Sequence, residues 1–234
     1  RPVFFPPGTY AVNNVTLPVN TTIFSEGGAV LKGFSGDGNV LSIGAGCVVR
    51  GLTIDGNKAH KTGGKGIQAA WADGCRIEDC TLRDCFEQAI QVQNTNGFLI
   101  ARNTITACGG TPTPAQFQGI NLVYANRGRV VENHVTDCQH GIQYWGDGTN
   151  RVTDLLIQGN AVDTVGGGGI WGAYGNRISV VNNTTVTCLD VGIDFEITDH
   201  SVATGNTVRN CTNGGMTCFT NCNHIVFSGN VIEQ

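Results

Sequence analysis

The feature that most narrows the fold is a repeat. "FLIARNTITAC" (98–108), "RVVENHVTDC" (129–138), "SVVNNTTVTC" (179–188) and "SVATGNTVRNC" (201–211) share one pattern. Each places an Asn, a β-branched residue two positions later and a Cys three beyond that. The Asn recurs at Asn103, Asn133, Asn160, Asn183, Asn206 and Asn230, with Cys80 in the equivalent earlier place, in steps of 23 to 30 residues. Most units then reach a Gly-Ile pair, as at Gly66-Ile67, Gly119-Ile120, Gly141-Ile142, Gly169-Ile170 and Gly192-Ile193, with Ala89-Ile90 and Gly215-Met216 as close variants. Short β-branched runs punctuated by Gly and Asn, with almost no helix signal, make each unit two or three strands joined by tight turns. That is one turn of a parallel β-helix. Leucine-rich repeats have a similar period but need a Leu-x-x-Leu-x-Leu pattern that is absent, and propeller blades need a longer unit. The expectation is an all-β, right-handed parallel β-helix of eight to nine coils, residues 1–234 forming a single domain.

Stacked coils lie roughly 4.8 Å apart, so a residue that recurs at one position becomes a ladder. Asn suits such a position because it tolerates a left-handed turn and its amide can bond the amide of the coil below. Cys85, Cys108, Cys138, Cys188 and Cys211 share another position, which Val165 fills in the remaining coil. A site that accepts Val is apolar, and buried thiols acting as small hydrophobes are the simplest reading. Adjacent coils also approach closely enough for disulfides. No pair of C-x-x-C motifs at finger spacing points to zinc. Only 14% of residues are charged and the net charge is −4, which argues against nucleic-acid binding. No apolar run approaches the ~20 residues of a membrane span. No signal peptide opens the chain, and both ends look truncated or covered by a partner.

"FFPPGTYAVNNVTL", followed by "GLTIDGN" (51–57) and the stacked Asn/Cys units, resembles the right-handed parallel β-helix proteins of the pectate-lyase-like superfamily. The likeness spans nearly the whole chain. It implies a family of polysaccharide lyases, glycoside hydrolases, alginate epimerases and phage tailspikes, and thus a polysaccharide or oligosaccharide partner. It also implies an extracellular, cell-surface or virion-surface setting, and a trimer if the chain is tailspike-like. Fold alone does not fix the chemistry.

The strands that begin at each Gly-Ile can be aligned. Alternation puts Ile inward, along with Ala69, Val92, Leu122, Tyr144, Gly172, Phe195 and Cys218 two positions on. One outward column then reads Gln68, Gln91, Asn121, Gln143, Trp171, Asp194 and Thr217. The next reads Ala70, Gln93, Val123, Trp145, Ala173, Glu196 and Phe219, and just beyond lie Trp71, Asn94, Tyr124, Gly146 and Tyr174. All three tryptophans thus fall on or beside one face, among amides. Aromatic planes stack on sugar rings and amides serve hydroxyls. The expected subsites are Trp71, Gln91, Gln93, Asn121, Tyr124, Gln143, Trp145, Trp171 and Tyr174, with Arg177 and His200 reaching in from turns. The loops "DGNKAHKTGGKG" (55–66), "CGGTPTPAQFQG" (108–119) and "GDGTNRVTD" (146–154) could wall the face, the first with three Lys for an anionic substrate.

Asp194 and Glu196 alternate with Ile193 and Phe195, so both point outward, with Cα atoms about 6.6 Å apart. No Lys or Arg in the columns neutralises them, and their closeness should raise one pKa. A proton donor beside an ionised partner is what glycoside hydrolysis requires. The same pair could be a solvated acidic patch or hold calcium; no other cofactor is called for. The Asp-Pro-His-acid set of the epimerases is missing where it should fall, at Gln91, Val92, Gln93 and Asn94, and the polygalacturonase signatures are absent as a set. A lyase wants a basic residue that the columns lack. Glycoside hydrolysis by Asp194 and Glu196 is therefore the first reading. A non-catalytic glycan-binding or structural segment of a tailspike or adhesin, or a lyase or epimerase, is the alternative.

Overall fold

A computed structural model describes residues 2–109 and 117–233. Residues 110–116, at the centre of the Pro-containing insert, lie outside the described residues. The chain winds as a right-handed parallel β-solenoid with three long sheets along its sides, two of ten strands and one of nine. Strand order within each sheet follows chain order, so every rung pairs with the one before and the one after. About ten turns result, more than the eight to nine expected. The surplus is at the start, where Pro2–Phe4 pairs with Thr22–Phe24 and Gly8–Val12 with Ala29–Gly33. These rungs lack both the ladder Asn and the stacked Cys, so a count based on those residues passes over them.

The corners explain how so short a unit closes. Nearly every coil turns on single left-handed residues: Arg102, Glu132 and Asn182 immediately before ladder asparagines, and Asp84, Ala107, Asp137, Thr187 and Asn210 immediately before stacked cysteines. The ladder Asn is thus not itself the left-handed residue; that role falls one position earlier, which corrects one reason given for its recurrence. Its amide instead fills the hole beneath the turn. Asn103 Nδ2 donates to Asn133 Oδ1 at 2.9 Å, Asn133 to Asn160 at 3.0 Å, Asn160 to Asn183 at 2.9 Å, and onward through Asn206 to Asn230. Each acceptor oxygen also receives the backbone N–H of the Asn in the preceding coil. One amide therefore satisfies several buried backbone and side-chain groups that would each cost about 1–3 kcal/mol unpaired.

The interior is filled by the inward columns. Ile67, Ile90, Ile120, Ile142, Ile170 and Ile193 are almost wholly shielded from solvent, as are Val92, Leu122, Tyr144 and Phe195. Tyr144 is large for its column, and the next coil answers with Gly172, where a Cβ would stand 2.1 Å from the Tyr144 carbonyl oxygen. Cys85, Cys108, Cys138, Cys188 and Cys211 are buried free thiols, and Val165 pairs in register with Cys188. Cys218 departs from the expected inward, shielded position and is exposed, because it lies on the last rung of its sheet.

Candidate functional site

The nine-stranded sheet carries the aligned columns as read from the sequence. Gln91, Asn121 and Gln143 pair in register, then Gln143 with Trp171 and Asp194 with Thr217. In the next column Gln93 pairs with Val123, Val123 with Trp145, Trp145 with Ala173 and Ala173 with Glu196. Two clefts lie end to end on this face. One, of about 250 Å³, is bounded by Gln88, Gln118, Asn121, Gln143 and Trp145. The other, of about 450 Å³, is bounded by His140, Trp171, Asp190, Asp194, Glu196 and Phe219. Trp145 and Trp171 stand between them, ring centres 6.0 Å apart and planes at 71°. From the Ile90–Gln93 strand to the Gly214–Phe219 strand is five rungs, roughly 24 Å. A larger opening of about 580 Å³ on another side, lined by residues such as Glu26, Arg50 and Asp79, has no aromatic side chain.

Ile193 and Phe195 are fully buried while Asp194 and Glu196 line the cleft, so the two acids do share the outer face. Asp194 is nonetheless only 5% exposed, recessed between neighbouring rungs, and it accepts a hydrogen bond from Thr217 Oγ1 at 3.2 Å. Burial first, and then the charge of Glu196, raise its pKa to about 7 against the opposing Thr217 bond. A hydrogen bond to Glu196 and the charge of Asp190 push the same way.

The turn that follows is strained. Ile197, a β-branched residue, adopts φ 45° directly after Glu196, a conformation that costs on the order of 1–3 kcal/mol. Its N–H donates to Thr220 O at 3.0 Å, and Arg151 Nη2 donates to its carbonyl at 2.9 Å. Thr198 Oγ1 donates to Glu196 O at 2.8 Å and lies 3.0 Å from the buried Tyr144 hydroxyl. These contacts hold the Glu196 corner in place.

His140 and Asp190 belong to the cleft and are absent from the sequence-based set. Both precede the Gly-Ile pair at which the alignment began; continued upstream, it would have put Gln88, Gln118 and His140 in line. His140 Nδ1 accepts the Gly168 N–H at 3.0 Å, which leaves the ring hydrogen on Nε2 when the imidazole is neutral. Burial lowers its pKa, with Asp190 acting in the opposite direction. Its ring lies 5.3 Å from that of Trp171.

Other expected members fall elsewhere. Arg177 belongs to the Gly175–Val181 strand of a different sheet and is paired with Asp154 at 2.6 Å. His200 lies on that same sheet, stacked on His224 with ring centres 4.6 Å apart. Neither joins the cleft. Tyr124 and Tyr174 sit at left-handed corners beside the face, the Tyr124 hydroxyl pushed up in pKa by Asp147. Trp71 is 73% exposed and three rungs, or about 14 Å, from Trp145. Gln91 and Gln93 are half-buried one rung before Asn121 and Val123. The loop lysines are engaged by the chain itself: Lys65, one rung before Gln88, pairs with Glu87 at 2.6 Å, while Lys58 and Lys61 donate to Ala107 O and Gly38 O. Among the described residues no three His, Cys, Asp or Glu side chains are grouped to hold a metal ion, and no helix is long and apolar enough to cross a membrane.

Stacked parallel rungs carrying a long cleft of amides, indoles and acids define a β-helix protein with a groove along one sheet. The chain belongs to the right handed beta helix region family, which it matches over residues 13–156 and 118–234. No curated protein matches it. Among solved structures it is similar to PfbA, a surface adhesin of Streptococcus pneumoniae, with 12% identity and TM-score 0.72 over 98% of this chain and 70% of that one. It is also similar to the polygalacturonase of Erwinia carotovora subsp. carotovora, with 11% identity and TM-score 0.70 over 97% and 85%. The Dettilon tailspike protein matches with 15% identity and TM-score 0.62 over 99% of this chain and 55% of its own length. At these identities the likeness is one of fold.

Proposed function

We propose that the protein is a carbohydrate-active β-helix that binds a polysaccharide along the nine-stranded sheet and hydrolyses it at Asp194 and Glu196. The observation that carries this reading is the geometry of the acid pair: Asp194 is recessed beside Glu196 in a cleft flanked by two indoles, and burial pushes its pKa up to about 7. Asp194 then still holds a proton near neutrality and can give it to the departing glycosidic oxygen, while Glu196 takes a proton from the attacking water. Solvent in the cleft carries the proton from Glu196 back to Asp194 between turnovers. Polygalacturonases and tailspikes among the structural neighbours are consistent with a glycan partner and with an extracellular or surface setting. Calcium beside the acids and a tailspike-like trimer are secondary proposals, tested by chelation and by sedimentation.

One observation favours a second reading, glycan binding without turnover. The fold is shared with PfbA, a surface adhesin of Streptococcus pneumoniae. Incubation with a panel of glycans decides between them. New reducing ends that vanish in Asp194→Asn and Glu196→Gln support hydrolysis, unsaturated uronate ends would replace it with elimination, and binding without products leaves the second reading.

A further inference from the structure

The charge and hydrogen-bonding character of the cleft restrict which glycan fits. Three carboxyl groups, Asp190, Asp194 and Glu196, face it, and among the described residues no Lys or Arg lines either of its two parts. Cations of the flanking loops and strands are committed to other partners: Lys65 to Glu87, Arg177 to Asp154, and Arg151 to Asp199 and the Ile197 carbonyl. A uronate carboxylate placed here would lose water, meet like charges and find no counter-ion, a combination that costs affinity.

The polar atoms of the floor point the same way. Among the described residues, Gln88 Oε1 and Asn121 Oδ1 are buried acceptors that receive no donor, and Trp171 Nε1 is a buried donor with no acceptor. Gln88 Nε2 is already used on Gln118 Oε1 at 3.3 Å. Unanswered acceptors call for O–H or N–H groups, which sugar hydroxyls and N-acyl amides supply and an ionised carboxylate does not. The indole N–H calls for a ligand oxygen, which a hydroxyl also provides.

We infer that the cleft accepts a neutral glycan, with or without N-acyl groups, and rejects polyuronates, with Asp190 and Glu196 as the residues that set the choice. This rests on the reading of the cleft as a glycan site. It sets this chain apart from any relative whose substrate is a polyanion, although the fold is shared.

The test uses polymers matched in backbone and differing in charge: galactan against galacturonan, mannan against mannuronan, hydroxyethyl- against carboxymethyl-cellulose. Binding of the intact protein is read by affinity electrophoresis and Trp fluorescence at low and at moderate salt. In any pair that binds, the neutral member should bind at least about tenfold more tightly at low salt, equivalent to about 1.4 kcal/mol. The gap should shrink as salt screens the carboxylates, and it should narrow in the Asp190→Asn/Glu196→Gln double variant. Equal or tighter binding of the acidic member overturns the inference while leaving the glycan site in place. A preference unchanged in the double variant removes Asp190 and Glu196 as its source. No binding by either member of any pair overturns the glycan reading itself.

Discussion

Asp194→Asn should make the protein more stable at neutral pH while removing its proton donor. The carboxyl sits at about 7 in the folded chain against 3.8 for an unperturbed Asp, a difference of about three pH units worth about 1.36 kcal/mol each. The ceiling is therefore roughly 4 kcal/mol. Screening by solvent at the cleft mouth reduces this to about 2 kcal/mol. Below pH 4 the folded and unfolded chains both hold the proton, so nothing is lost. Between pH 4 and 7 the folded state holds more protons than the unfolded one, so stability falls as pH rises. Asn is nearly the same shape, cannot ionise and keeps a partner for Thr217. The variant should gain little at pH 4 and about 2 kcal/mol at pH 8, or about 4–8 °C in Tm for a chain of this length. Urea unfolding followed by Trp fluorescence at both pH values measures the difference. A gain of equal size at both, or a loss at pH 8, would refute the claim that Asp194 is held protonated by its surroundings.

Asn160→Ala removes the acceptor of the Asn133 backbone N–H, the donor to Val130 O and one link of the ladder; urea unfolding should show a loss of about 2–5 kcal/mol. Cys138→Val should cost under about 1 kcal/mol, since Val165 already fills the equivalent place in the next coil, whereas Cys138→Ser should cost about 1–3 kcal/mol for a buried hydroxyl. Trp171→Ala should weaken glycan binding about tenfold or more, by fluorescence or electrophoretic titration, while Trp71→Ala, at an exposed corner three rungs away, should leave it unchanged.

Much of the fold was legible because a solenoid writes its geometry into the sequence as a period. Strand alternation placed Ile193 inside and Asp194 outside, and the register of the whole column followed from the Gly-Ile pairs. What depends on corners was less legible. The left-handed residue falls before the ladder Asn, on positions as varied as Arg102 and Glu132, so composition does not mark it. Arg177 and His200 are near Trp171 and Asp194 in sequence, but the turn after the site strand carries both onto the adjoining sheet. Asp190 reaches the cleft from a bend and His140 from the first position of the His140–Trp145 strand, two residues before the inward Ile142, where strict alternation would place it inside. The Asn ladder and the Cys stack were visible because each needs one residue type repeated; the first coils, which use neither, were not counted.

A crystal structure of the protein with an oligosaccharide drawn from a polymer it binds tests the central claim most directly. The sugar chain should run across the rungs of the nine-stranded sheet, rings packed on Trp145 and Trp171, with one glycosidic oxygen against Asp194. A sugar lodged instead beside Glu26, Arg50 and Asp79 on another side of the solenoid, with the indoles and the two acids untouched, would contradict it.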